Sequence, residues 1–343
     1  EVKKFKENNE IVIGTHDGVF HCDEVLACFM LKQLPKYENA KIIRTRNAAV
    51  LDTCDIVVDV GGVFDAETHR YDHHQATFQH TLSTLKPELG DEWNIRLSSA
   101  GLIYSYFGEE LIQNVLKKHK NLTLDNENVK VIFKKVYKNF IIEIDGIDNG
   151  VPMFEGGEPK YNINTSLSSR VSNFNPNWTE DDNAENVRKR FEKAIKYAGE
   201  EMLDKIFYYS EIWWPARSIV ENAIKSRYGI HSSGEILELE KVCPWKEHLF
   251  ELEKEHNIEG IPKYVIFNGS GNDWRIICVP VQPNSFVCRK FLHKEWRGVR
   301  DEELQKISNI EGAKFCHATG FIGGNCTREG ALKMAIASLN TTE

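Results

Sequence analysis

The sequence predicts an α/β protein with a parallel-sheet N-terminal domain, a helical bridge and a smaller mixed α/β C-terminal domain. Three observations carry this. Short Val- and Ile-rich runs alternate with helix-period segments in the first half. Residues 185–230 are helical in pattern throughout. Strand-like runs return after His231. The domains are expected at 1–184, 185–230 and 231–343, and a chain of 343 residues favours more than one.

Glu10 to Gly14 reads as a strand that stops just before His16. Asp23 to Leu34 follows as an apolar helix ended by Pro35. Lys41 to Thr45 and Asp55 to Val60 are further strands, the latter too apolar for an exposed edge. Ser98 to Lys118 is a helix opened by two serines. Another runs from about Asn126 to Ile144, with Val129, Phe133, Val136, Phe140 and Ile144 at helical spacing. It delivers Asp145 and Asp148, and Gly146 and Gly150 are expected to break it. The bridge carries Val187, Phe191, Ala194, Ala198, Met202 and Ile206 on one face and Arg188-Lys189-Arg190 on its solvated side. Pro215 interrupts it. Beyond it, Glu235–Glu240, Tyr264–Asn268 and Trp274–Val279 read as strands, with Gly269-Ser270-Gly271-Asn272 as a hairpin turn. A Gly-rich turn, Gly320-Phe321-Ile322-Gly323-Gly324, and a helix from about Thr327 to Leu339 close the chain.

A hydrophobic share of 41% and an aromatic share of 10% are enough to fill cores, and exclude a disordered or collagen-like chain. The formal charge of -8 argues against a broad nucleic-acid coat, but not against a local basic groove. The eight cysteines show no C-x-x-C spacing and are expected as reduced, mostly buried thiols in an intracellular, reducing compartment. No apolar run is long enough to span a membrane. The chain opens on Glu1 rather than Met, which implies a trimmed or processed N-terminus.

The chemistry lies in four clusters: Gly14-Thr15-His16-Asp17-Gly18-Val19-Phe20-His21-Cys22-Asp23-Glu24, then Val57-Val58-Asp59-Val60-Gly61-Gly62, then Tyr71-Asp72-His73-His74, then Glu143-Ile144-Asp145-Gly146-Ile147-Asp148. Each places His or Asp at the end of an apolar run. In parallel sheets, ligand groups collect beyond the carboxyl ends of the strands. Taken alone, an Asp after a strand is more often a cap or turn former than a ligand, and Asp145 alone is a helix stop. The combination points to metal. Imidazole and carboxylate suit Mn²⁺, Fe²⁺, Co²⁺ or Zn²⁺, and two ions sharing a carboxylate make a hydrolytic site.

The phrases THDGVFHCDE, DIVVDVGG, RYDHHQ, LSSAGLIY, IDGIDNGV, CPWKEHL, WRGVRDEEL and GFIGGNCTREGAL resemble those of the melanocyte-proliferating-gene exonuclease family, a branch of the DHH phosphoesterase superfamily, over about Ile11 to Leu339. The resemblance implies a DHH-type catalytic domain. It implies two divalent ions, Mn²⁺ favoured and Mg²⁺ possible. His16 and His21 would hold the first and Asp23, His73 and Asp145 the second, with Asp59 bridging. His74 would face the phosphate as a donor, and Asp72 would orient a histidine. Asp148 could assist, Asp17 could replace a ligand, and His69 could touch phosphate or sit in a surface turn. His21 stands where the superfamily more often has Asp, after a spacing longer by one, which enriches the first site in nitrogen.

The resemblance also implies a C-terminal domain that grips substrate. Candidates are His317, Gly320, Gly323 and Gly324, whose backbone could approach a phosphate, and Arg328, Arg297 and Arg275 as phosphate partners. Arg300, Arg170 and Arg217 are further cations. Trp296 is either a base-stacking platform or core, and Trp245 core or interdomain packing. The implied activity is 3′-to-5′ removal of nucleoside 5′-monophosphates from single-stranded RNA, in mitochondria and nucleus. A pyrophosphatase or short-oligonucleotide phosphodiesterase would use the same metals. A non-catalytic, metal-loaded RNA-binding protein is the remaining alternative. Oligomeric state is not legible.

Overall fold

A computed structural model describes residues 10–269, 271 and 273–341. The chain divides into two compact units, one ending at Tyr209 and the other beginning at Ser210. Among the described residues, no helix is long and apolar enough to cross a membrane. None of the eight cysteines forms a disulfide.

The first unit runs β1 (Val12–Thr15), α1 (Cys22–Lys32), β2 (Lys41–Arg44), the single turn α2 (Ala48–Leu51), β3 (Ile56–Val58), β4 (Phe64–Asp65), β5 (Arg70–Tyr71), the single turn α3 (Leu82–Leu85), α4 (Ser99–Lys120), α5 (Asn126–Val136), α6 (Ile142–Asp148), α7 (Leu167–Ser172) and α8 (Ala184–Phe207). Its sheet has the order β2-β1-β3-β5-β4. The first four strands are parallel, and β4 adds an antiparallel edge. Ile13, Ile56 and Val58 are fully buried, as central parallel strands require. α1 is buried from Cys22 through Leu31 because α4 and α8 both pack on it. A helix apolar nearly all round is stable only when covered this way.

α5 and α6 are joined by the π-helical turn Tyr137–Ile141. The expected break at Gly146 does not occur. Gly146 lies inside α6, and the chain leaves the helix after Asp148 through Gly150 at φ +65°.

The second unit runs α9 (Trp214–Ile230), β6 (Ile236–Glu238), α10 (Lys246–Glu255), β7 (Tyr264–Asn268), β8 (Trp274–Cys278), α11 (Asp301–Ser308), β9 (Ala313–Cys316), β10 (Ile322–Asn325) and α12 (Arg328–Leu339). The strand order is β6-β7-β8-β10-β9, with β6 parallel to β7 and the other pairs antiparallel. Alternation along β7 divides its side chains between two cores. Tyr264 and Ile266 join the one containing Met334 of α12, and Val265 and Phe267 join the one containing Ile224 of α9 and Leu249 of α10. At the β7–β8 turn Gly269 N–H donates to Asp273 O at 2.7 Å. Ser270 and Asn272 of that turn lie outside the described residues.

The helical stretch 185–230 falls in both units. α8 packs on α1 and α9 on β6. Between them in sequence lies the π-helical segment Tyr208–Trp213, so the helical run does not break at Pro215, which sits in the first turn of α9. Arg188 pairs with Glu185 and Glu192, and Arg190 with Glu180, so this basic run is a solvated, self-paired face.

Candidate metal centre

Three adjacent parallel strands, β1, β3 and β5, end side by side, and each is followed by a candidate ligand. His16 follows β1, Asp59 follows β3, and Asp72-His73-His74 follows β5. Asp59 N–H donates to Tyr71 O at 3.0 Å, so the β3–β5 ladder extends into the site. Asp59 itself is left-handed, at φ +57°. Asp tolerates that region better than most residues, and the turn it starts aims its carboxylate into the site. Two helix N-termini face the same place. The first turn of α1 brings Asp23 and Glu24, and the start of α4 brings Ser99, whose Oγ donates to Asp59 Oδ1 at 3.2 Å and whose N–H donates to Asp23 Oδ2 at 3.3 Å.

The ligand atoms fall into three overlapping groups. His16, His21, Glu24 and Asp59 form one group. His16 Nε2 lies 3.0 Å from Glu24 Oε1 and 3.4 Å from Asp59 Oδ2. Asp23, His73 and Asp148 form a second. His73 Nε2 is 3.1 Å from Asp148 Oδ2, 3.4 Å from Asp59 Oδ1 and 3.9 Å from Asp23 Oδ2. Asp59 thus offers one oxygen to His16 and the other to His73. His74 also approaches Asp59, at 3.4 Å, but its Nδ1 is only 2.7 Å from Asp72 Oδ1. Asp59, His73 and His74 form the third group, and the exposed His74 ring lies nearest to Asp72. Asp72 is itself fixed by Gly62 N–H, which donates to its Oδ2 at 2.6 Å.

The electrostatics are those of a cation site. Burial and then the neighbouring charges of Asp59 and Asp148 push the Asp23 carboxyl well above its ordinary range. Burial disfavours a charged His73, but the carboxylates of Asp148 and Asp59 outweigh it and raise its pKa to about 10. His16 behaves alike: burial disfavours its charge, and Asp59 and Glu24 overcome that and raise it to about 10. Burial works against an ionised Asp59, and the two histidines overcome it and hold its pKa below the ordinary range. Asp23 Oδ1 and His73 Nε2 are buried without a hydrogen-bond partner. Crowded carboxylates around a buried imidazole nitrogen fit a divalent ion.

The family model for MYG1 exonucleases, described as "Uncharacterised protein family (UPF0160)", matches residues 12–339. The chain is 48% identical over 328 residues to a rat protein named MYG1 exonuclease, covering 95% of this chain and 84% of the relative. It is 47% identical to the human MYG1 exonuclease, covering 95% and 85%. The chain belongs to the MYG1 exonuclease family. A Dictyostelium discoideum MYG1 protein is 46% identical over 97% of both chains. No solved structure matches.

Of the residues that the sequence of this MYG1 family member nominates, His16, His21, Asp23, Asp59, His73 and His74 gather as ligand candidates, with Asp72 beside them. Asp145 does not join them. Its Oδ1 accepts from Ser98 N–H at 2.9 Å and Ser98 Oγ at 2.7 Å, and its Oδ2 accepts from Tyr137 OH at 3.1 Å. It is fully buried, tight against Gly101, where an added Cβ would collide with its carboxylate. Burial raises its pKa to about 7 against those hydrogen bonds. Asp148, one turn on, gathers with Asp23 and His73 instead. Glu24 is the ligand candidate that sequence reasoning missed. Its place in the first turn of α1, on the side of His16, was the available signal. Asp17 turns outward to pair with Arg46, and His69 lies near Lys36 and Tyr71.

In the second unit the Gly-rich segment is only partly a turn. Gly320, at φ +77°, closes it, but Gly323 and Gly324 lie in β10, between β8 and β9. Their backbone belongs to the sheet. Their glycines answer to packing, since a Cβ would come within 2.8 Å of Leu292 at Gly323 and 2.6 Å of Arg275 and Phe315 at Gly324. Arg328 is committed to Glu238, through Nε at 2.8 Å and Nη2 at 2.5 Å. Arg275 lies over Phe315 near Asp273, and Arg297 Nε donates to Leu292 O at 3.1 Å. Arg300 also lies over Phe315, Arg170 pairs with Glu201, and Arg217 pairs with Glu251 and Glu255. Trp296 and Trp245 are buried in the two cores. His317 is exposed, with Nδ1 3.0 Å from Thr319 Oγ1.

Proposed function

We propose that the protein is a two-metal phosphodiesterase of DHH type that shortens single-stranded RNA from its 3′ end and releases nucleoside 5′-monophosphates. The observation that carries this is the single Asp59 carboxylate offering one oxygen to His16, which gathers with His21 and Glu24, and the other to His73, which gathers with Asp23 and Asp148. Printed names of relatives as exonucleases support the nuclease reading.

Two divalent ions held there, Mn²⁺ or Mg²⁺, would supply a hydroxide at neutral pH and charge relief on the phosphate. The chain's own residues do the rest. Ser99 and the N-terminus of α4 hold Asp59 and Asp23 in place. Asp72 holds the exposed His74 ring in place, and that ring donates to a non-bridging phosphate oxygen. His317 and Arg275 are the proposed phosphate partners of the second unit, because neither is locked in a close carboxylate pair. Mitochondrial and nuclear placement belongs to the same reading.

The test is 5′-labelled single-stranded RNA resolved on a sequencing gel, with Mn²⁺, with Mg²⁺ and with chelator. A metal-dependent ladder growing from the 3′ end is expected. An unchanged band under every ion would overturn the proposal.

A further inference from the structure

Asn149 caps the C-terminus of α6, next to Asp148. Its Nδ2 donates to two carbonyls, Arg96 O at 2.9 Å and Asp145 O at 2.9 Å. A carboxamide has two N–H groups, and both are therefore spent. This fixes the orientation of the amide, since the reverse orientation would set its oxygen against two carbonyl oxygens. The atom 3.3 Å from His73 Nδ1 is thus Oδ1, an acceptor. The ring nitrogen facing it has to carry the proton.

We propose that Asn149, braced by Arg96, is a positioning residue that fixes His73 as its Nδ1–H form and leaves the Nε2 lone pair for the metal. The assignment rests on the metal reading above and extends it to a residue that binds no metal. Nε2 is the atom that faces Asp148, Asp59 and Asp23. The arrangement closes on itself. Arg96 Nη2 donates to His73 O at 2.9 Å, Arg96 O accepts from Asn149, and Asn149 accepts from the His73 ring. The guanidinium of Arg96 also lies over Phe78, which meets the His73 ring edge-on. Three chain segments thereby hold one imidazole: the residues after β5, those before α4 and the end of α6. Ligand histidines commonly donate their other ring N–H to such an acceptor, which sets both tautomer and ring plane.

The test uses the full chain with Asn149→Leu, which keeps the bulk and removes every polar contact, and Asn149→Asp, which keeps the acceptor and loses the donors. Mn²⁺ affinity is measured by calorimetry. The ring N–H signals are followed by proton NMR of the Co²⁺-loaded protein, where paramagnetic shifts isolate ligand histidines. Asn149→Leu is expected to weaken Mn²⁺ binding about 10- to 100-fold and to lose the His73 N–H signal to solvent exchange. Asn149→Asp is expected to retain that signal and bind within a few-fold of wild type. It also keeps the test decisive should the leucine variant fold poorly. Undiminished binding and an unmoved signal in Asn149→Leu, or loss of both in a folded Asn149→Asp, would overturn the inference alone. Wild-type protein that takes up no divalent ion would overturn the metal reading beneath it, and this inference with it.

Discussion

His16 and His73 reach opposite oxygens of one carboxylate. Each Nε2 stands 3.4 Å from its own oxygen of Asp59. The two rings come from different strand ends, and this one carboxylate lies between them. Asp59→Ala is expected to lower RNA turnover by on the order of 10³ or more, beyond the loss of one electrostatic contact. Metal uptake should fall below that of wild type. Cleavage assays and elemental analysis of purified variant check this, and undiminished turnover would remove Asp59 from the centre of the site.

Asp145 and Asp148 are separated by experiment through their different surroundings. Asp148→Asn is expected to weaken metal binding at least tenfold, as for loss of a charged ligand, whereas Asp145→Asn should bind metal nearly as wild type. Asp145→Asn should also change stability with pH in a defined sense. The folded pKa of Asp145 is raised to about 7 from an ordinary 3.8, so the native state holds the proton more tightly than the unfolded chain. Its contribution is fully present below the unfolded value and is lost as pH rises through about 7. The variant, which has no such proton, should therefore gain on wild type between about pH 4 and pH 7 in denaturant melts. A constant difference across that range would contradict the burial argument.

Metal uptake should expel protons. With no ion bound, His16 and His73 both titrate near 10, so both are protonated at pH 7. A metal needs their lone pairs, so affinity should rise as pH climbs from 7 toward 10, with both imidazole protons released at pH 7 and any proton held by the raised Asp23 carboxyl in addition. Calorimetry in two buffers of different ionisation enthalpy counts them. Equal heats in both buffers would sink the expectation.

His74 and Asp72 are expected to act through substrate rather than through metal. His74→Ala should reduce kcat by about 10²–10³, the cost of losing one preorganised donor, with Mn²⁺ affinity within a few-fold of wild type. Asp72→Asn, which no longer accepts the Nδ1 proton as a carboxylate, should follow His74→Ala in direction. A large loss of Mn²⁺ affinity in His74→Ala would make that ring a ligand instead.

The parallel sheet was legible because Ile13, Ile56, Val57 and Val58 are too apolar to be anything but central, and His16 and Asp59 follow them directly. The two-residue strands β4 and β5 left no periodicity to read, although β5 delivers His73. The exchange of Asp145 for Asp148 was not legible either. Both acids lie within one turn, and only the position of Ser98 and Tyr137 decides which of them turns inward. Glu24 was hidden by its ordinary reading as an acidic residue in a first helical turn. Gly323-Gly324 looked like a loop because glycines in a central strand are rare, and the close approach of Phe315 and Leu292 that demands them is a tertiary fact.

The π-helical turn Tyr137–Ile141 sets the angular phase of α6. Such a turn holds one more residue than an α-helical turn, so every side chain beyond it is rotated about the axis by roughly one residue's arc, about 100°. α5 is phased to the core, through Val129, Phe133 and Val136, and α6 carries Asp148 to the imidazole of His73. Deleting one residue between Lys138 and Phe140 would leave composition, charge and hydrophobicity almost untouched. It would still turn that carboxylate away from the ring, as a combination dial turned by one mark no longer opens the lock.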